Sequence, residues 1–375
     1  MILLHTSDWH LGMPVGQWTE ETNQRHFLDQ LCRIIREERV GAVLLAGDVY
    51  DSGVSNAAAI GLYNEAVTRI CGELNVPMVV IAGNHDSAPR LAACRDLLRS
   101  AGLYVTGRLT REVPPVLLDG GRVAVYPIPF FGREEVSALF PELTELRTQE
   151  QAMEAVCSHI REAMDPGRFN VALSHALVVD AELSQSDRSA RVGFATAVSA
   201  QVFRGFDYAA LGHLHKGQSV TPSVRYSGSP VKYAFGGEER QEKGVVLIDT
   251  EDGSQRFVPI APLRDRKTVS GPLQDILDRE DLTEDYLRLQ ITDRYAGLEL
   301  LAQLRERFPY LVEVSGKSLD QAEDAAALSA EALETLDDME IMERFMEDIF
   351  RCQPSPRQLD LFREAMIHSR EEETT

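Results

Sequence analysis

The chain has 375 residues, 44% hydrophobic and 26% charged, too long for one ordinary core and balanced against global disorder. A net charge of −21 argues against holding nucleic acid by bulk charge, although residues 317–375 alone carry 16 acidic and 6 basic side chains. Five widely spaced cysteines without a C-x-x-C pair argue against a disulfide framework or a thiolate zinc site. The N-terminal residues lack the pattern of a secretory leader, and no run reaches the roughly 18 apolar residues of a membrane span, so a cytoplasmic location is expected.

Short apolar runs alternate with helical patterns. MILL reads as a strand and is followed by a helix near 22–38, with Phe27, Leu31, Ile34 and Ile35 on one face. AVLLAG is a second strand, 56–74 a second helix, PMVVIAG a third strand, and about 89–100 a further helix. That repetition predicts parallel pairing in an α/β layer. A hairpin turning at Asp119–Gly121, a helix across about 145–164, the strands FNVALS and YAALG, and a hairpin turning at Asp252 and Gly253 complete a first domain, 1–265. Residues 266–316 form a small α+β module of strand YLRLQIT, helix 297–308 and strand YLVEV. Residues 317–375 form an acidic helical region broken at QPSP.

Polar residues follow five of these strands: Asp8 and His10; Asp48; Asn84 and His85; His175; His213 and His215. Ligands of open α/β sheets bind at the carboxyl ends of strands. The two-residue spacings of Asp8/His10 and His213/His215 suggest extended segments with both donors on one side. Gly47, Gly83 and Gly212 precede donors, where a missing side chain lets the backbone approach an ion. Carboxylates, imidazoles and one amide oxygen suit two divalent cations clamping a phosphate, and mixed N/O ligation favours Mn²⁺, Fe²⁺ or Zn²⁺ over Mg²⁺ or Ca²⁺.

The order D-x-H (8–10), G-D (47–48), G-N-H-D (83–86), a lone histidine (175) and G-H-x-H (212–215) resembles the calcineurin-like metallophosphoesterase superfamily. LLHTSDWHLG, GNHDS and YSGSPVKYAF narrow the likeness to the nuclease subunits of bacterial complexes that process DNA ends with a coiled-coil ABC-type ATPase. The resemblance implies an α/β fold of layered mixed sheets flanked by helices, with 266–316 as a DNA-capping domain and 317–375 as an ATPase-binding region. It implies one metal on Asp8, His10, Asp48 and His215, and a second on Asp48, Asn84, His175 and His213. His85 would assist catalysis without ligating, and Asp51 would orient it. Also implied are two Mn²⁺ ions, DNA substrates (duplex ends, single strands, hairpins) and a homodimer within a heterotetramer.

Other residues carry plainer readings. Trp9 reads as a packing residue and His5 as a packing residue or a support behind the donors; His26, His159 and His368 receive no function. Asp86 reads as a brace behind the donors or as a helix cap. Arg90, Lys216, Lys232 and Lys243 are placed to meet phosphates, though scattered loop bases are more often simply solvated. Met339, Met342, Phe345, Met346, Ile349 and Phe350 form an apolar stripe that suits either the chain's own core or a partner groove, the acidic setting and the family likeness favouring the partner. A stand-alone hydrolase of nucleotides or phosphoproteins needs no extension such as 266–375, and a DNA-end tether needs no complete donor set.

Overall fold

The computed structural model describes residues 1–318 except 144–145, 180, 185–186, 188–195 and 296, together with residue 359. The stripe at Met339–Phe350 therefore lies outside the described residues. Met1–Lys317 forms one compact unit.

Two six-stranded sheets make its centre. The first has the order β14-β13-β1-β4-β5-β6, from β1 (Ile2–Thr6), β4 (Val40–Ala46), β5 (Met78–Ile81), β6 (Leu103–Thr106), β13 (Gly244–Asp249) and β14 (Gln255–Pro259). The second has the order β11-β12-β10-β9-β8-β7, from β7 (Val116–Leu118), β8 (Val123–Ile128), β9 (Phe169–His175), β10 (Tyr208–Gly212), β11 (Gln218–Ser219) and β12 (Val224–Tyr226). Each sheet has four parallel strands in a row, with antiparallel pairing beyond β1 in the first sheet and beyond both β12 and β8 in the second. The inner faces pack Leu3, Leu44, Val79 and Val246 against Val125, Val171, Leu173 and Tyr208. Because both faces of these strands are covered, they read as continuous apolar runs.

Helices close the outer faces. The apolar face of α1 (Glu21–Glu37) and α2 (Ala57–Val67) cover the first sheet, while α5 (Arg133–Leu139) and α6 (Gln149–Ala163) cover the second. Asn56 caps α2 by accepting from Ala59 N–H, and Thr148 starts α6 with a capping box completed by Gln151. The continuous helix expected over 89–100 is instead broken into α3 (Ala88–Leu91) and α4 (Arg95–Leu98), because Cys94 has a left-handed φ of 58°.

The small module contains β15 (Arg266–Gly271), α7 (Leu273–Leu277), β16 (Tyr286–Tyr295), α8 (Gly297–Arg307) and β17 (Leu311–Ser318). β15, which the sequence reading did not foresee, pairs in parallel with β16. The module has its own core of Ile276, Leu287, Leu289, Leu304 and Phe308. It meets the larger part through the ribbon β2 (Pro14–Val15) and β3 (Trp18–Thr19), where Val15 and Phe235 pack on Tyr286, and through a buried Glu20–Arg266 ion pair.

Candidate metal centre

The parallel strands end on one edge, where both sheets deliver donors. Asp8 and His10 follow β1, Asp48 follows β4 and Asn84 follows β5; His175 ends β9, and His213 and His215 follow β10. Asp8, His10, Asp48, His175 and His215 are buried. Asp8 and His10 do not arrive through extended backbone as their spacing suggested. Their φ values are 52° and 39°, those of Asp48 and His213 are 48° and 103°, and such left-handed backbone costs non-glycine residues about 1–3 kcal/mol each. Hydrogen bonds from Asp8 N to Gly47 O and from His10 N to Asp48 O, each 3.0 Å, hold this turn against the loop after β4.

The donor atoms converge on two neighbouring points. Nε2 of His10 and Nε2 of His215 face each other across 3.0 Å, and Asp8, His10 and His215 form one group of mutually close donors. Oδ1 of Asn84 lies 2.9 Å from His175 Nε2 and 3.0 Å from His213 Nδ1. Between them, Oδ2 of Asp48 is 3.7 Å from His10 Nε2 and 3.4 Å from His175 Nε2. One carboxylate oxygen thus faces both halves of the cluster.

Surrounding groups fix these orientations. Nδ1–H of His175 donates to Ala46 O at 2.8 Å, leaving Nε2 toward the cluster. His85 N–H donates to Asp48 Oδ1, and His213 N–H to Asp8 Oδ1. Asp86 takes the bracing role and not the cap: its carboxylate accepts from Val49, Tyr50 and Gly83 N–H, tying the loops after β4 and β5 together. A Cβ at Gly47 would overlap the His175 ring, at Gly83 the Asp48 carboxylate, and at Gly212 the Ala46 carbonyl. Glycine is required there because the chain passes too close for any side chain.

Electrostatics fit a cation. Burial, with Asp48 nearby, pushes the Asp8 carboxyl up to about 7. Burial opposes ionisation of Asp48 too, but the imidazoles of His175 and His10 outweigh it and hold that carboxyl below its usual range. Burial opposes charge on His175, yet Asp48 lifts it to about 9; burial and then His175 push His213 down to about 3. Two buried carboxylates, four imidazoles and an amide oxygen in one cavity are a donor set that positive charge completes. Nδ1 of His10 is buried without a hydrogen-bond partner.

The remaining expected residues are placed as follows. Nδ1–H of His85 donates to the backbone carbonyl of Asp51 at 2.9 Å, while the Asp51 carboxylate points toward His10, 3.6 Å from its Nδ1. Trp9 is buried on Phe27, and His5 is buried between Tyr208 Oη and Leu211 O. The four basic residues are all engaged within the chain. Lys243 is buried on Glu238, Lys232 pairs with Asp265, Lys216 with Glu182, and Arg90 donates to Gly53 O.

Sequence reasoning missed two neighbours. Tyr233 packs edge-on against His10 and His215 and donates its hydroxyl to Trp9 O. Asp187, buried, accepts His215 N–H at 3.0 Å. YSGSPVKYAF contains Tyr233 and was legible as a motif, but no local signal marks Asp187.

Residues 1–217 match the family model for calcineurin-like phosphoesterases. The chain belongs to that family. A second model, the type 5 capsule protein repressor C-terminal domain, matches residues 257–349. The phosphoesterase is 28% identical to the D subunit of nuclease SbcCD from Staphylococcus epidermidis and 27% identical to that from Staphylococcus saprophyticus, in both cases over 93% of either chain. Among solved structures, TT1561 of Thermus thermophilus aligns with a TM-score of 0.42 and 12% identity over 69% of this chain and 99% of that one, too slight a likeness to add weight. Membership makes the chain a metal-dependent hydrolase of phosphate esters. Among the described residues no helix is long and apolar enough to cross a membrane.

Proposed function

We propose that the chain is an SbcD-like nuclease component: a two-metal DNA phosphodiesterase that works with an SbcC-like coiled-coil ABC ATPase as a duplex-end exonuclease and a single-strand and hairpin endonuclease. The observation that carries this reading is Oδ2 of Asp48 facing His10 on one side and His175 on the other. Asp8, His10, Asp48 and His215 would hold one ion; Asp48, Asn84, His175 and His213 would hold the other. Bound divalent cations, with Mn²⁺ suited to this N/O set, would supply Lewis acidity and a water of lowered pKa.

The chain's own residues do the rest. Because a carbonyl only accepts, the bond to Asp51 O fixes the proton of His85 on Nδ1 and leaves Nε2 to face the substrate. Protonated at Nε2, His85 gives that proton to the departing 3′ oxygen; neutral, it can take one back. A homodimer within a heterotetramer belongs to the same reading and rests on the family likeness.

The test is cleavage of single-stranded, duplex and hairpin DNA with Mn²⁺, with and without the ATPase. Metal-dependent cleavage of single strands, extended to duplex ends by ATP and the partner, is expected. Hydrolysis of mononucleotides or phosphoproteins with no cut in any DNA would overturn the reading.

A further inference from the structure

A cavity of about 500 Å³ opens directly from the metal centre on the side of Asn84, His175 and His213. Phe130, Phe131, Met153 and Leu177 supply its apolar lining, beside Arg133 and Arg147. A site of this size suits one small ligand. The two ends differ in chemistry: metal donors at one, an aromatic and aliphatic wall at the other. A ligand that satisfies both carries a phosphate joined to a flat apolar body.

Phe130 is the distinctive residue. Of the neighbouring parallel strands β8, β9 and β10, the latter two deliver His175, His213 and His215, whereas β8 delivers no donor. Two residues beyond its end stands Phe130, 40% exposed although Phe131 beside it is buried. Its backbone is fixed: Phe130 N–H donates to Ala82 O at 2.9 Å, so the residue is tied to the end of β5, just before Gly83 and Asn84. Its ring centroid lies 6.2 Å from that of His175, with the planes at 81°. An exposed aromatic ring on rigid backbone beside the metal donors has no packing need that explains its exposure.

We infer that this cavity receives the base of a single unpaired nucleotide adjoining the scissile phosphate, stacked on Phe130. The inference rests on the proposed DNA phosphodiesterase function and names what that function selects. A base can enter only if it leaves its own stack, which is cheapest at melted ends, mismatches and hairpin tips. Stacking on an aromatic ring tolerates any base, so the site selects for lack of pairing and not for sequence.

The experiment walks a single abasic residue through a single-stranded DNA substrate, one position at a time on both sides of a mapped cut, using the full chain with Mn²⁺. With the wild type, one abasic position adjoining the cut lowers kcat/KM about tenfold, in line with base–aromatic stacking. In Phe130→Ala that position becomes insensitive, intact and abasic DNA being cut at equal rates, and Phe130→Trp restores the sensitivity. Metal content and the thermal midpoint of each variant confirm that the comparison is between folded, loaded proteins; should Phe130→Ala fail this, Phe130→Leu replaces it. An abasic penalty of equal size in wild type and variant, or none at any position, overturns the inference and leaves the nuclease function standing. If the wild type cuts no DNA at all, the function fails first and the inference with it.

Discussion

The backbone N–H of His85 donates to Oδ1 of Asp48 over 2.9 Å, so the residue whose imidazole is held by Asp51 O also sets the rotamer of the carboxylate at the middle of the cluster. The two roles are separable, because one uses the main chain and the other the side chain. His85→Ala keeps the N–H and should retain the bound metal while DNA cleavage falls about 10²-fold or more. Metal analysis on the purified variant beside its cleavage rate checks this, and loss of an ion would make His85 a ligand.

Asp48→Ala removes the oxygen that faces both halves and should lose metal and activity together. Asp51→Asn alters a carboxylate 3.6 Å from His10 but leaves the carbonyl that holds His85. It should therefore keep its metal and change the rate by less than His85→Ala does. Isothermal titration with Mn²⁺ on both variants separates the cases.

Gly83→Ala changes no donor, yet its Cβ would enter the space of the Asp48 carboxylate. Metal affinity should fall sharply with the secondary structure unchanged, as circular dichroism and metal titration together would record. Unaltered affinity would mean that the loop after β5 yields more easily than its bonds to Asp86 suggest.

His5 provides a pH test away from the metal donors. Burial, partly offset by its bond to Leu211 O and reinforced by Arg225, lowers its pKa to about 3, from about 6.5 when unfolded. Its contribution is therefore complete above pH 6.5 and is lost as pH falls toward 3, by about 1.4 kcal/mol per pH unit for one proton taken up on unfolding. Urea unfolding at pH 7 and pH 5 with chelator present should show a steeper loss for the wild type than for His5→Gln. Equal slopes would show that His5 is protonated in the fold.

The acidic residues 317–375 call for a test that leaves the chain whole. Phe345→Asp with Phe350→Asp should abolish co-elution with the ATPase and the stimulation by ATP, while Mn²⁺-dependent cleavage of single strands persists. A folded double variant that still binds the ATPase with unchanged affinity places the contact elsewhere.

The donors were readable in sequence because each stands where an apolar run stops, and strand ends are local events. The three glycines were marked only by their place before donors; what crowds them is distant chain, His175 at Gly47, Asp48 at Gly83 and Ala46 at Gly212. The left-handed turns at Asp8 and His10 were not readable, since two-residue spacing implies extension unless hydrogen bonds to the next strand's loop intervene. Cys94 breaks its helix against an unremarkable local pattern. β15 was missed because RKTVSG lacks an apolar run, and its pairing with β16 is made across intervening chain. Asp187 and Phe130 matter only through residues far away in sequence, and periodicity carries no trace of such neighbours.

Asp8, His10, Asp48 and Asn84 come from one sheet and His175, His213 and His215 from the other. Ions held by both sets would act as rivets through the sandwich, resisting shear between its halves. Stability then becomes a function of metal activity in solution, rising by RT ln(1 + [M]/Kd) for each site that the unfolded chain lacks, or about 2.7 kcal/mol at a hundredfold excess over Kd. Chelation should lower the melting temperature and loosen hydrogen-exchange protection first along β9 and β10, where the second sheet meets the first. A cell short of the metal would then keep this protein less rigid as well as less active.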